Sequence, residues 1–157
     1  MRILDLSAGN RAIWFDKRCK IATYIDIRPE VSPDIVADSR QLPADIKPGF
    51  DLIVFDPPHK NNGASGHMSR NYGHHTAEEI TDIMQKTAKE AHRISRVGGL
   101  MAFKWNDHTR KLSSVLPLLE PYWYPLFGHG VSHQQRSSQT SWVMLLYEDL
   151  CGWESTG

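Results

Sequence analysis

The chain has 157 residues, 40% apolar and 23% charged, with 18 Lys and Arg balanced by 18 Asp and Glu. That is enough for one domain with a sizeable core and short for two, and no apolar run nears the roughly 20 residues that cross a bilayer. Zero net charge gives no global sign of a polyanionic partner, and cysteines only at 19 and 151 match neither a metal site nor a secreted disulfide scaffold, so a reducing, cytoplasmic setting is expected. The N-terminus, with one Arg and an acid at position 5, makes a poor signal peptide. Charge is uneven, however: residues 60–111 hold 9 Lys and Arg against 5 Asp and Glu, with five histidines besides, a modest pointer to an anionic partner.

In chain order, "RILDLS" reads as a short strand and "RAIWFDK", from Arg11, as a short helix. "IATYIDI" from Ile21 is β-rich and closes on Asp26, "DIVAD" from Asp34 is a brief third strand, and "DLIVFD" is a strongly apolar fourth. Continuous rather than alternating apolar runs suit strands covered on both faces, as in a parallel sheet between helices. "TAEE" at Thr76 is a capping box, after which Ile80, Ile83, Met84, Thr87, Ala91 and Ile94 share one helical face, with Gly98-Gly99 as the expected left-handed stop. Lys86, Lys89, Arg93 and Arg96 lie opposite, on a solvated face. "LMAFKW" from Leu100 is a fifth strand, a helix is expected from about His108 to Leu116, and "YWYPLF" and "TSWVMLLYE" close the chain around the polar turn "GHGVSHQQRSSQ". The order implies a single doubly wound α/β domain, whose ligands bind beyond the carboxyl ends of the strands. Those ends carry Asp5, Asp26, Asp38 and Asp56.

An acid after one strand is an ordinary turn cap; four in succession form a pattern. "ILDLSAGN", "YIDI", "VADSRQLP" and "DPPH", in this order, resemble the motifs of class I S-adenosylmethionine-dependent methyltransferases, in the amino-group branch with a D/N/S-P-P-aromatic motif, to which DNA adenine N6-methylases belong. The resemblance runs from Ile3 to about Tyr147. It implies a Rossmann-like, mostly parallel seven-stranded sheet with the last strand antiparallel. It also implies that Asp5, Ser7, Ala8 and Gly9 wrap the methionine part of the cofactor, that Asp26 and Ile27 meet its ribose, and that Asp38 and Ser39 lie near its adenine. Asp56, Pro57, Pro58 and His59 would form the catalytic corner, with Asp56 also bordering the cofactor. Two departures stand out. The first turn has one glycine where the family has two or three, and His59 replaces the usual Tyr, Phe or Trp that stacks on a target ring.

The residue types suit that chemistry. An acid at the second strand end can accept from both ribose hydroxyls, as in dinucleotide folds, and Gly9 permits close backbone approach. A conjugated amino nitrogen is a poor nucleophile, so a carboxylate and a carbonyl aimed at its two N–H groups would hold its lone pair toward the methyl donor. Pro57 and Pro58 stiffen that corner and remove competing N–H groups. Rate gain then comes mainly from positioning and charge stabilisation.

From His59 to His75 a polar stretch reads as a substrate-gripping loop, in which Lys60 and Arg70 meet phosphates and Tyr72 stacks on a base. Its histidines have no zinc-type spacing, so no metal is expected. Lys104 and Trp105, ending the fifth strand, are expected near the substrate. The leading reading is methylation of a base amino group, adenine N6 in DNA, with S-adenosylmethionine as cofactor. The chain has no room for a separate target-recognition region, which implies low specificity, a homodimer or specificity partner, or RNA as substrate. An rRNA or tRNA base methyltransferase is the nearest rival, a protein-glutamine methyltransferase a more distant one, and a non-catalytic cofactor-binding module the alternative of another class. No membrane partner is expected.

Overall fold

The computed structural model describes residues 1–58, 75–132 and 138–149. Seven strands form one sheet: β1 (Ile3–Asp5), β2 (Ala22–Asp26), β3 (Ile35–Val36), β4 (Phe50–Phe55), β5 (Ser95–Asn106), β6 (Trp123–Ser132) and β7 (Gln139–Tyr147), in spatial order β3-β2-β1-β4-β5-β7-β6. The first five run parallel, and β7 is antiparallel to both β5 and β6. This is the expected doubly wound arrangement, with order reversing at β1, where β2 and β4 flank it. Among the described residues no strand pairs with the outer side of β6, and its ladder to β7 carries an irregularity between Pro125 and Phe127.

One long helix, α1 (Ala77–Ile94), covers one face of the sheet. Its start is the anticipated capping box: the Glu79 N–H donates to Thr76 Oγ1 (3.1 Å) and the Thr76 N–H to Glu79 Oε2 (2.7 Å). Ile80, Met84, Thr87, Ala88, Ala91 and Ile94 are buried, whereas Lys86, Lys89, Arg93 and Arg96 are exposed. Beneath α1 lie Phe55, Met101, Phe103, Trp105, Trp123 and Leu145. The Trp123 indole N–H donates to the Ala88 carbonyl (3.0 Å), so a large apolar side chain also ties sheet to helix. No helix among the described residues is long and apolar enough to cross a membrane.

Four boundaries differ from expectation. Residues 11–17 make turns instead of a helix: Arg11 sits at φ +55°, and the Trp14 indole is drawn onto Asp5, a tertiary bond that local helix preference cannot match. α1 ends at Ile94, where Ser95 turns extended and its hydroxyl bonds back to the Ala91 carbonyl (2.7 Å). Gly98-Gly99 lies instead in β5, where the register with β4 jumps from Phe50–Ser95 to Leu52–Leu100. A Cβ on Gly99 would come within 2.9 Å of the Arg96 carbonyl, so the glycines accommodate that irregularity. The helix after β5 is a single turn, α2 (Leu112–Val115), continued as a 3-10 turn through Leu119. β6 extends through Ser132 and β7 begins at Gln139, both within the stretch read as a polar turn.

Candidate active site

β1 ends at Asp5, whose side chain is only 1% exposed. Both of its oxygens are occupied: the Ser7 N–H donates to Oδ1 (3.0 Å) and the Trp14 indole N–H to Oδ2 (2.7 Å). Burial pushes the carboxyl up to about 6; the Trp14 and Ser7 bonds oppose this, and the charges of Asp56 and Asp26 add to it. Asp5 therefore fixes the turn that follows. In that turn the Ala8 N–H donates to the Ile25 carbonyl (3.0 Å), locking the β1 tip to β2. Gly9 adopts φ +48°, which favours glycine, and its N–H donates to Asp26 Oδ2 (2.8 Å).

Asp26, at the end of β2, accepts four bonds: from Gly9, from the Arg28 N–H (2.9 Å), and from Arg28 Nε and Nη2 (3.0 and 3.3 Å). Burial alone would raise its carboxyl, but the Arg28 and Gly9 bonds outweigh it and hold it below the ordinary value. Asp38 repeats the device. Arg40 Nε and Nη2 donate to Oδ1 and Oδ2 (3.0 and 2.6 Å), and chiefly through these bonds its carboxyl is also lowered. Arg40 then reaches Asp82 on α1 (3.1 Å). Sequence reading passed over both arginines, although the repeated D-x-R at 26–28 and 38–40 is a visible signal. Beside them, Ile27 is exposed, and the Ser39 hydroxyl shares a 2.9 Å bond with the Thr87 hydroxyl of α1.

Asp56 follows β4 directly. Its N–H donates to Ser7 Oγ (2.7 Å), coupling the β1 turn to the Asp-Pro-Pro corner. Its Oδ2 accepts from Lys104 Nζ (2.7 Å), delivered by the parallel pairing of β4 with β5. Pro57 is buried and Pro58 half-buried. Trp105, expected near the substrate, is instead fully buried beneath α1, its indole N–H donating to the Arg110 carbonyl (2.9 Å). Strand alternation sends neighbouring residues to opposite faces, so Lys104 reaches Asp56 while Trp105 joins the core. His59, Lys60, Arg70 and Tyr72, with the loop that holds them, fall outside the described residues. A cavity of about 400 Å³ between α2 and the β6–β7 hairpin, lined by Leu112, Leu116, Phe127 and Val143 among others, includes none of the four acids.

No family model matches this chain, and no curated protein matches it in sequence. Solved structures do match its fold. The N-methyltransferase NodS from Bradyrhizobium japonicum WM9, solved with S-adenosyl-L-homocysteine, aligns at TM-score 0.63 and 13% identity over 94% of this chain and 78% of NodS. An rRNA methylase from Streptococcus thermophilus aligns at 0.57 and 11% over 94% of this chain and 86% of its own. The cyclase SpnF aligns at 0.62 and 11% over 93% and 75%. The fold is the Rossmann-like one found in S-adenosylmethionine-dependent methyltransferases, and a cyclase among its bearers means that chemistry has to be argued from the site.

Proposed function

We propose that the protein is an S-adenosylmethionine-dependent methyltransferase acting on an exocyclic amino group of a nucleic-acid base, adenine N6 in DNA. The observation that carries the reading is the double attachment of Asp56: its backbone to the Ser7 turn at the β1 tip, its carboxylate to Lys104. A carboxylate and a proline corner are thereby fixed beside the turn on which a nucleoside cofactor would rest.

The chain's residues fit that cofactor on two counts. The carboxyl ends of β1, β2 and β4 carry Asp5, Asp26 and Asp56, and the Asp5 carboxyl is pushed up first by burial and then, to a smaller extent, by the charges of the other two. Arg28 and Lys104 balance the charges of Asp26 and Asp56 within the chain, so these carboxylates would offer oxygens to a cationic sulfonium without a large field of their own. The left-handed Gly9 and the Asp26 carboxylate would hold the ribose side, the hydroxyls replacing the Arg28 guanidinium while the Gly9 N–H stays in place. Bound there, S-adenosylmethionine supplies a methyl group on positively charged sulfur and leaves as a neutral thioether.

Asp56 Oδ1, which Lys104 leaves open, accepts one amino N–H of the acceptor, and the Pro57 carbonyl accepts the other. Both hydrogens being held, the nitrogen lone pair faces the donor. Positive charge developing on that nitrogen meets the carboxylate already in position. The methylated nitrogen sheds one proton, toward Asp56 and then water. Titration calorimetry with S-adenosylmethionine, followed by tritium transfer to DNA, RNA and protein pools with mass spectrometry of the product nucleoside, tests the reading. Expected are cofactor binding and N6-methyladenine in DNA. Label in tRNA or rRNA instead would select the RNA reading, and binding with transfer to no pool would select a non-catalytic module.

A further inference from the structure

Alternation along β5 sends Met101, Phe103 and Trp105 beneath α1 and Leu100, Ala102 and Lys104 to the reverse face of the sheet. Pairing extends that reverse face sideways. Lys104 lies directly opposite Trp142 of β7, and Trp142 opposite His129 of β6, so the three side chains form one row. Trp142 is 37% exposed, so part of its ring surface is open to a partner. Lys104 Nζ stands 6.0 Å from its ring centroid while donating to Asp56 at 2.7 Å. The ammonium is thus bonded to the Asp56 carboxylate and stands at the edge of cation–π range from the Trp142 ring.

We propose, resting on the nucleobase reading above, that Asp56, Lys104 and Trp142 form one acceptor cradle, in which Trp142 stacks on the target ring and Lys104 donates to the ring nitrogen beside its amino group. An ammonium has three N–H groups and Asp56 takes one, so donors remain for the acceptor. Asp56 and Lys104 then present an acceptor beside a donor. That pair complements the amidine edge of adenine or cytosine, where an amino group adjoins a ring nitrogen with a lone pair. Guanine sets a ring N–H on the Watson–Crick side of its amino group, where donor would meet donor, and its N3 lone pair lies on the side that carries the sugar; a polar group left unpaired in a closed site costs about 1–3 kcal/mol. Trp142 also accounts for the histidine at 59: the stacking surface that the aromatic of related motifs would supply comes from β7, with Lys104 adding a cation to the same stack.

The test is fluorescence anisotropy with labelled thymine oligonucleotides carrying one central A, C or G, in the presence of S-adenosylhomocysteine, alongside KM and kcat for methyl transfer to the same strands. Trp142→Ala should weaken binding of the A strand and raise its KM about 10-fold, in line with the worth of one base–aromatic stack, with Trp142→Phe recovering most of it. Tyr124→Ala removes another exposed aromatic of the same face, opposite Leu146 at the far end of β6, and should change neither value. Lys104→Met should reduce an about 10-fold preference for A over G to near parity. Transfer that persists with Trp142→Ala binding like the wild type, or equal wild-type binding of A and G strands, overturns the cradle alone. Trp142-dependent binding without transfer keeps the cradle as a base-binding site and overturns the methylation reading. Binding to no strand overturns both.

Discussion

β1, β2 and β3 have 3, 5 and 2 residues and stop at or just before an acid, whereas β5, β6 and β7 run for 12, 10 and 9 residues with aromatic side chains along them. The short strands form the half proposed to hold the cofactor. Their value lies in their ends, where the chain leaves the ladder and its N–H groups and carboxylates can be aimed, as Gly9 is at Asp26. The long strands form the half proposed to hold the acceptor, and their value lies in registered side chains such as Lys104 and Trp142. Asp56 stands where the halves meet, bonded to Ser7 on one side and Lys104 on the other. Polar precision comes from strand tips, and planar surface from strand length.

That division can be broken experimentally, beginning at the junction. Asp56→Ala should lower kcat for methyl transfer about 100- to 1,000-fold, the scale of removing one preorganised electrostatic partner, with the calorimetric Kd for S-adenosylmethionine unchanged; a parallel loss of cofactor binding would erase the boundary between halves. Next is Asp5. Its folded carboxyl is raised from 3.8 to about 6, so its stabilising contribution is complete below 3.8 and lost as pH rises through 6. At pH 7 the buried charge costs on the order of 3 kcal/mol. Urea unfolding of the wild type and Asp5→Asn should therefore show the difference moving toward the variant by up to that amount between pH 4 and 7. Asp26→Ala acts within the cofactor half and should weaken S-adenosylmethionine binding about 10-fold while leaving binding of the A-containing oligonucleotide unaltered. The smallest effect is Thr76→Ala, which removes the α1 cap and should cost about 1 kcal/mol in chemical denaturation without altering the cofactor Kd.

The strand tips and the start of α1 could be read in advance because their signals are local. Apolar runs ending in Asp26 and Asp56, and Thr76 three residues before Glu79, carry their meaning within a few positions. What escaped is tertiary. "RAIWFDK" has helix-compatible residues, yet Trp14 is committed to a carboxylate nine positions back. Gly98-Gly99 looks like a helix stop and serves a strand irregularity. An apolar run such as "LMAFKW" does not say which of its faces a helix will cover, and that choice separates the buried Trp105 from Lys104 beside Asp56. The partners of Asp26 and Asp38 were within reach, since an arginine two residues after each acid is legible as a fork for its carboxylate.

The side of β6 that no described strand covers bears on how molecules of this protein meet. A ten-residue border strand with Leu126, Phe127 and Val131 exposed would ordinarily invite another chain to zip alongside it. Pro125 contributes no N–H, and the irregularity beside it offsets the backbone groups that follow. An incoming strand would lose its register near the start of the margin, so the geometry that fits β6 against β7 also guards its outer side against runaway stacking.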